Sequence, residues 1–218
     1  TQIGMRMLAS ESGINATKIR RGLITDNEEQ SILNSIGLLS GLDIYIDDSP
    51  FLEVFQIHAK ARRLYAERGL DLIIVDYMQL LNISGRSDNR VQVMSEISRA
   101  LKGLARDLDI PVLALSQLSR AVEQRQSHIP VLSDLRESGS IEQDADVVAF
   151  IYREDLYTKE DEWESSPQNM GIPYPKNIAQ ILISKHRNGP VGEFPLYFRD
   201  DVIKFESITR PIQQASMD

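Results

Sequence analysis

Leu72-Ile73-Ile74-Val75-Asp76 runs on as Tyr77-Met78-Gln79-Leu80-Leu81. Four consecutive large apolar residues, three of them β-branched, predict a strand buried on both faces, as in a parallel sheet covered by helices. An acid ends it. In open α/β sheets ligands bind at the carboxyl ends of the strands. In a nucleotide-hydrolysing fold a carboxylate there holds the water shell of Mg²⁺, the Walker B role. Taken alone, the pattern is also that of an acid capping the next turn, and only other residues choose between the two.

Working outward, the polar stretch Asn82 to Asn89 predicts a surface loop. Met94, Ile97, Leu101, Leu104 and Leu108 then recur at helical spacing as a core stripe, and Pro111 to Leu115 makes a second buried strand ending in Ser116-Gln117. Strand, helix, strand is the βαβ signature of a doubly wound parallel sheet, which puts Asp76 and Gln117 close together on one edge. An amide at Gln117 can donate to a γ-phosphate oxygen or orient a water; it can equally satisfy a local backbone group. The stretch from Leu118 to Asp144 is poor in apolar residues and reads as mostly exposed loop, and loops of that length in a compact domain are usually functional.

Upstream, the chain opens at Thr1 with an apparent helix already running, as at a start inside a domain. Asn15 caps a short helix stopped by Gly22, and Thr25-Asp26-Asn27-Glu28 has capping-box spacing before a helix whose stripe is Ile32, Leu33, Ile36 and Leu39. Asp43 to Asp47 alternates like a strand. Ser49-Pro50 predicts the opening of a helix with Val54, Ile57, Ala61 and Leu64 facing inward. Downstream, Val147 to Tyr152 is a β run, and residues 154–177, with six acids and the only Trp, read as a mobile acidic insertion or a docking surface. Ile178 to Ser184, Glu193 to Phe198 and Val202 to Phe205 predict short strands joined by hairpin-like turns, before a frayed tail over 211–218.

With 218 residues, 42% of them apolar, the chain can bury one sizeable core. The absence of cysteine excludes disulfide frameworks and thiol chemistry and suits the cytoplasm. No apolar run approaches the roughly 20 residues needed to span a bilayer, so no membrane role is expected. A net charge of −8 leaves any nucleic-acid binding to locally placed loops.

Two further groups carry chemistry. In Lys185-His186-Arg187 the outer two side chains point the same way from an extended chain. They make a paired cationic tip suited to a phosphate's spreading charge, or else a solvated strand end. Arg136-Glu137-Ser138-Gly139-Ser140 combines a cation, an acid and small residues that expose backbone N–H groups to phosphate oxygens of a nucleic-acid strand; a helical turn with a salt bridge has the same composition.

Read together, these segments resemble the C-terminal motor domain of the bacterial replicative hexameric DNA helicases, the DnaB family. Leu72 to Leu80 is similar to its Walker B motif, Pro111 to Arg125 to its sensor strand and loop, Ser133 to Asp146 to its most distinctive stretch, and Lys185 to Pro190 to its finger motif. The resemblance implies a RecA-like α/β fold over residues 1–210, a parallel sheet flanked by helices with antiparallel hairpin strands toward the C-terminus. It implies a homo-hexamer, ATP and Mg²⁺ held between neighbouring subunits, and single-stranded DNA in the channel, with a helicase loader and primase as partners of the complete protein. Asp76 would hold Mg²⁺ through water and Gln117 would sense the γ-phosphate. Lys185 and Arg187 would reach the neighbour's γ-phosphate, and Arg136, Glu137 and Gly139 would contact the DNA backbone.

The sequence departs from the family at one point: it contains no GxxxxGK[ST]. The resemblance therefore implies that this segment alone neither binds ATP well nor unwinds DNA. A non-catalytic module for assembly or partner docking, derived from the helicase, is the alternative.

Overall fold

The computed structural model describes residues 2–50, 52–83 and 89–208, with the side chains of 136–139 excepted. In chain order come α1 (Gln2–Ser12), α2 (Ala16–Arg21), α3 (Asp26–Ser40), α4 (Val54–Arg68), β1 (Ile73–Val75), α5 (Arg90–Leu108), β2 (Val112–Ala114) and α6 (Ala121–Gln124). A 3-10 stretch (Leu132–Ser138) leads into α7 (Gly139–Asp144), followed by β3 (Val147–Tyr152), α8 (Glu160–Ser165), β4 (Ile178–His186), β5 (Gly192–Arg199) and β6 (Lys204–Ser207). The strands form a parallel pair, β1-β2, and a four-stranded sheet in the order β3-β4-β5-β6. The chain divides into two compact units.

One unit comprises residues 47–150 and 182–192. β1 and β2 run parallel with Ile73 opposite Val112 and Val75 opposite Ala114, joined by α5 in the predicted βαβ order. All five predicted stripe residues of α5 are buried, and Asn89 caps the helix by accepting from the Val91 and Gln92 amides. The core joins Val75, Met94, Ile97, Leu101, Val148 and Phe150. Only one face of the β1-β2 pair is covered, however: Ile74 is 60% and Leu113 55% exposed. The expectation of a strand buried on both faces is corrected to that extent, because Ile73 and Val75 meet the α5 core while the alternate residues face away from it.

α4 also departs from expectation. It begins at Val54 with Glu53 as N-cap and Gln56 closing a capping box, instead of at Ser49-Pro50. The reason is tertiary: Leu52 O accepts the Asn82 N–H and Asn82 O accepts the Val54 N–H, both at 3.1 Å, so residues 52–54 are held extended. The polar stretch predicted as a loop has residues 84–88 outside the described set.

The other unit comprises described residues within 2–46, 151–181 and 193–208. The sequence signals at its helix ends hold. Asn15 caps α2, Gly22 ends it at φ 67°, and Thr25 with Glu28 closes the capping box of α3. Lys18 bonds Glu28 at 2.8 Å, and that bond with the Thr25 amide lowers the Glu28 carboxyl to about 2. The α3 stripe is buried at Ile32 and half-buried at Leu39, while Leu33 and Ile36 are exposed. Residues 43–47 form no strand, because alternation alone supplies no ladder; the Ile44 amide turns back onto Leu42 O at 2.9 Å.

Residues 154–177 carry 3-10 turns and α8. Their two ends meet where Arg153 bonds Asp155 at 2.6 Å and Asn177 at 3.2 Å, under a cation-π contact with Phe198. Within the excursion, the Trp163 indole donates to Ile172 O at 3.0 Å. The β5-β6 hairpin pairs Phe198 with Phe205, ring centroids 4.8 Å apart. The tail 211–218 lies outside the described residues.

Candidate nucleotide edge and finger tip

Asp76 follows β1 at the carboxyl edge of the parallel pair. Leu115 N donates to Val75 O and Met78 N donates to Leu115 O, both at 2.9 Å, so hydrogen bonds to Leu115, the residue after β2, flank Asp76 on either side. Its carboxylate is exposed. Gln117 lies two residues beyond Leu115 on the same edge. Its amide N–H donates to Gln79 Oε1 at 3.2 Å, while Gln79 Nε2 donates to Ser116 Oγ at 3.0 Å and to Gln117 O at 3.3 Å. The side chain of Gln79 thus clamps the backbone of Gln117 and leaves that residue's own side chain exposed.

Sequence reasoning assigned Gln79 no role, although its place three residues after Asp76 on the same edge was the signal. Gln79→Ala removes the acceptor for the Gln117 amide. Hydrogen exchange at that amide is expected to accelerate by about tenfold, the equivalent of one net hydrogen bond.

The cationic tip forms at the end of β4. Lys185 Nζ donates to Glu142 O, and also to Gln143 O at 3.4 Å. Arg187 NH2 reaches the same Gln143 carbonyl at 3.2 Å, its NH1 pairs with Asp146 Oδ1 at 3.0 Å, and its backbone N–H donates to Asp146 O at 2.8 Å. Both cations therefore grip the C-terminal end of α7, where unpaired helix carbonyls attract positive charge. Lys102 from α5 takes the other oxygen of Asp146. That bond first, then the attraction of Arg187 and Lys185, holds the Asp146 carboxyl below its ordinary range. The Arg187 side chain stays 45% exposed, beside a cleft of about 230 Å³ that Arg99, Lys102 and Arg106 also line. His186 turns its ring over Gly189 and bonds Pro190 O at 3.3 Å.

The segment from Leu118 to Asp144 is not the mostly exposed loop its composition suggests. Val122, Asp134, Leu135 and Ile141 are buried. The organising contact is a two-pronged ion pair, Arg125 NH1 to Asp134 Oδ1 at 2.9 Å and NH2 to Oδ2 at 2.7 Å. The Val131 amide adds a bond to the same carboxylate at 2.8 Å, and Asp134 O accepts from Ser119 N at 2.9 Å. Polar residues here are folded inward against each other, which a hydropathy pattern counts as surface. Arg136 and Glu137 fall at the end of the 3-10 stretch and Gly139 opens α7; their side chains lie outside the described residues.

Two groups result. Asp76 and Gln117 share one strand edge, Lys185 and Arg187 share the end of α7, and among the described residues no hydrogen bond or ion pair joins the first group to the second. Asp76 offers one exposed, hard oxygen donor, which suits a Mg²⁺ ion that arrives with phosphates and keeps its own waters. A guanidinium and an ammonium side by side suit a phosphate's spreading charge.

Comparison with known proteins shows the family. Residues 1–207 match the family model of the DnaB-like helicase C-terminal domain. The replicative DNA helicase DnaB of Geobacillus stearothermophilus is 50% identical over 217 residues, 99% of this chain and 45% of that protein. The replicative DNA helicase DnaC of Bacillus subtilis is 51% identical over the same length and shares. The chain thus spans about 45% of the length of these curated relatives. Among solved structures, an ATPase domain 41% identical superposes with a TM-score of 0.83, covering 94% of this chain and 69% of that one. A DnaB-like replicative helicase, described with its interactions with primase, is 40% identical with a TM-score of 0.83, covering 94% of this chain and 48% of its own.

Proposed function

The chain belongs to the DnaB-like helicase C-terminal domain family, and from that premise we propose that it is most of the motor domain of a hexameric replicative helicase. In this reading the complete protein hydrolyses ATP with Mg²⁺, moves along single-stranded DNA in the cytoplasm and works with a loader and with primase. The observation that carries it is that an acid and an amide share one strand edge while a cationic pair is gathered at the end of α7, with no hydrogen bond or ion pair between the two groups among the described residues. Each subunit then offers one half of a nucleotide site on each of two surfaces, which is what a ring of head-to-tail contacts requires.

Bound MgATP supplies the phosphoryl group whose transfer to water drives movement. Asp76 would hold the ion through its water shell, and Gln117, its backbone fixed by Gln79, would offer its amide to the terminal phosphate. Lys185 and Arg187 of the next subunit offset the negative charge that spreads over the phosphoryl oxygens in the transition state. Arg136, Glu137 and Gly139 meet the DNA backbone, and contact with phosphates rather than bases lets a motor step along any sequence. The absence of GxxxxGK[ST] from this sequence means that the Lys and amide cradle for the phosphates is not among its residues.

The test uses the complete protein with a forked duplex. ATP-dependent strand separation, lost in Asp76→Asn, supports the reading; unwinding that survives the substitution removes Asp76 from the site. For the DNA contact, Arg136→Ala is expected to reduce the slope of log affinity against log salt by about 0.7 to 1 on single-stranded DNA. An unchanged slope would take Arg136 out of the phosphate contacts.

A further inference from the structure

Arg187 is held by more than the strand that carries it. Asp146 touches it twice: the Asp146 carbonyl accepts its backbone N–H at 2.8 Å, and Oδ1 pairs with NH1 at 3.0 Å. Gln143 O takes NH2 at 3.2 Å. A guanidinium gripped at both terminal nitrogens has its plane fixed, whereas a free one samples many rotamers. The second oxygen of Asp146 goes to Lys102, a largely covered side chain on α5. Its neighbours Leu101 and Leu104 are buried in the core, so the ammonium sits on a rigid mount. Asp146 therefore joins the tip to the best-packed helix of its unit.

We propose that Asp146 is a positioning residue for Arg187, with Lys102 as the strut that ties it to α5, so that the guanidinium is presented in one orientation to the terminal phosphate of a nucleoside triphosphate on a neighbouring copy of the chain. This rests on the reading of Arg187 as a finger given above. Orientation set in advance removes entropy that would otherwise be lost at the moment of reaction. The same carboxylate does not sequester the cation. The named bonds use one N–H of NH1 and one of NH2, and the Arg187 side chain is 45% exposed, so the guanidinium keeps further donors for a phosphate.

The role is tested by steady-state ATP hydrolysis in the complete protein carrying Asp146→Asn, Asp146→Glu, Arg187→Ala, or Asp146→Asn together with Arg187→Ala. Asp146→Asn keeps the size and one acceptor but loses the charge that both cations share. Its kcat is expected to fall about tenfold, with KM for ATP within about twofold and with part of the rate restored in Asp146→Glu. The double variant is expected to be no slower than Arg187→Ala alone, because a residue that acts through Arg187 has nothing left to position. Two results would overturn the proposal: a wild-type kcat in Asp146→Asn while Arg187→Ala is crippled, or a double variant slower than Arg187→Ala by the full factor of Asp146→Asn. Near-normal turnover in Arg187→Ala would instead reject the finger reading itself, and the positioning role with it.

Discussion

Arg187→Ala is expected to lower ATP turnover by the complete protein about a thousandfold or more, the range lost when an arginine finger is removed. KM for ATP is expected to change little, because a finger acts on charge that develops in the transition state. Stability is expected to be nearly unaffected. Arg187 is 45% exposed and its partner Asp146 half exposed, and such pairs contribute about 0 to 1 kcal/mol. Arg187→Lys should rescue little, since an ammonium lacks the planar fork that Asp146 and the Gln143 carbonyl orient. The check pairs kcat with a thermal melt: a large fall in kcat at an unchanged melting temperature is the signature expected, and a parallel loss of both would assign Arg187 to the fold.

Arg125→Met should have the largest effect on stability, about 3 kcal/mol. Asp134 is only 3% exposed, and Arg125 is the cation that meets both of its oxygens. Methionine keeps the apolar stem but leaves a buried carboxylate with the Val131 amide as its remaining bond among the described partners. Breaking a buried pair from one side typically costs about 3 to 5 kcal/mol. The lower end applies because the Arg125 side chain is itself about a third exposed. The double change Arg125→Met with Asp134→Leu should recover much of the loss, since two apolar groups leave no orphaned charge. Urea midpoints of the wild type and the two variants decide it. A single variant within about 0.5 kcal/mol of wild type would mean that the pair does not organise the segment.

What the sequence made legible follows a physical line. β3 was expected over Val147 to Tyr152 and occupies those residues, and the five-residue stripe of α5 is buried throughout. In α5 a helical period repeated from Met94 to Leu108 reports the face that the core must cover, and in β3 an unbroken β-prone apolar run reports the strand itself. The capping box at Thr25 is as local as a signal can be, and it holds. The misreadings share the opposite property. Residues 43–47 alternate but no ladder receives them, and the start of α4 is moved to Val54 by Asn82, nearly thirty residues away.

The stretch from Leu118 to Asp144 looks polar because its buried charge is matched by another charge of the same stretch, Arg125 against Asp134. The candidates Asp76, Gln117, Lys185 and Arg187 were named from the sequence, and the βαβ order sufficed to place the first two on one edge. Gln79, Lys102 and Asp146 were assigned no role of their own. Each acts by bonding a residue distant in the chain, and apart from the place of Gln79 on the strand edge a single sequence does not report such pairings.

The central claim is that Asp76 and Arg187 of one subunit serve two different nucleotides, and mixed rings test it most directly. Rings of Asp76→Asn alone and of Arg187→Ala alone are each expected to hydrolyse almost no ATP. When the two proteins are co-assembled in equal amounts, about a quarter of the interfaces combine an intact acid with an intact finger, so turnover is expected to return to roughly that fraction of wild type. If the mixture stays at the floor of the two single variants, Arg187 acts within its own subunit and the account is wrong.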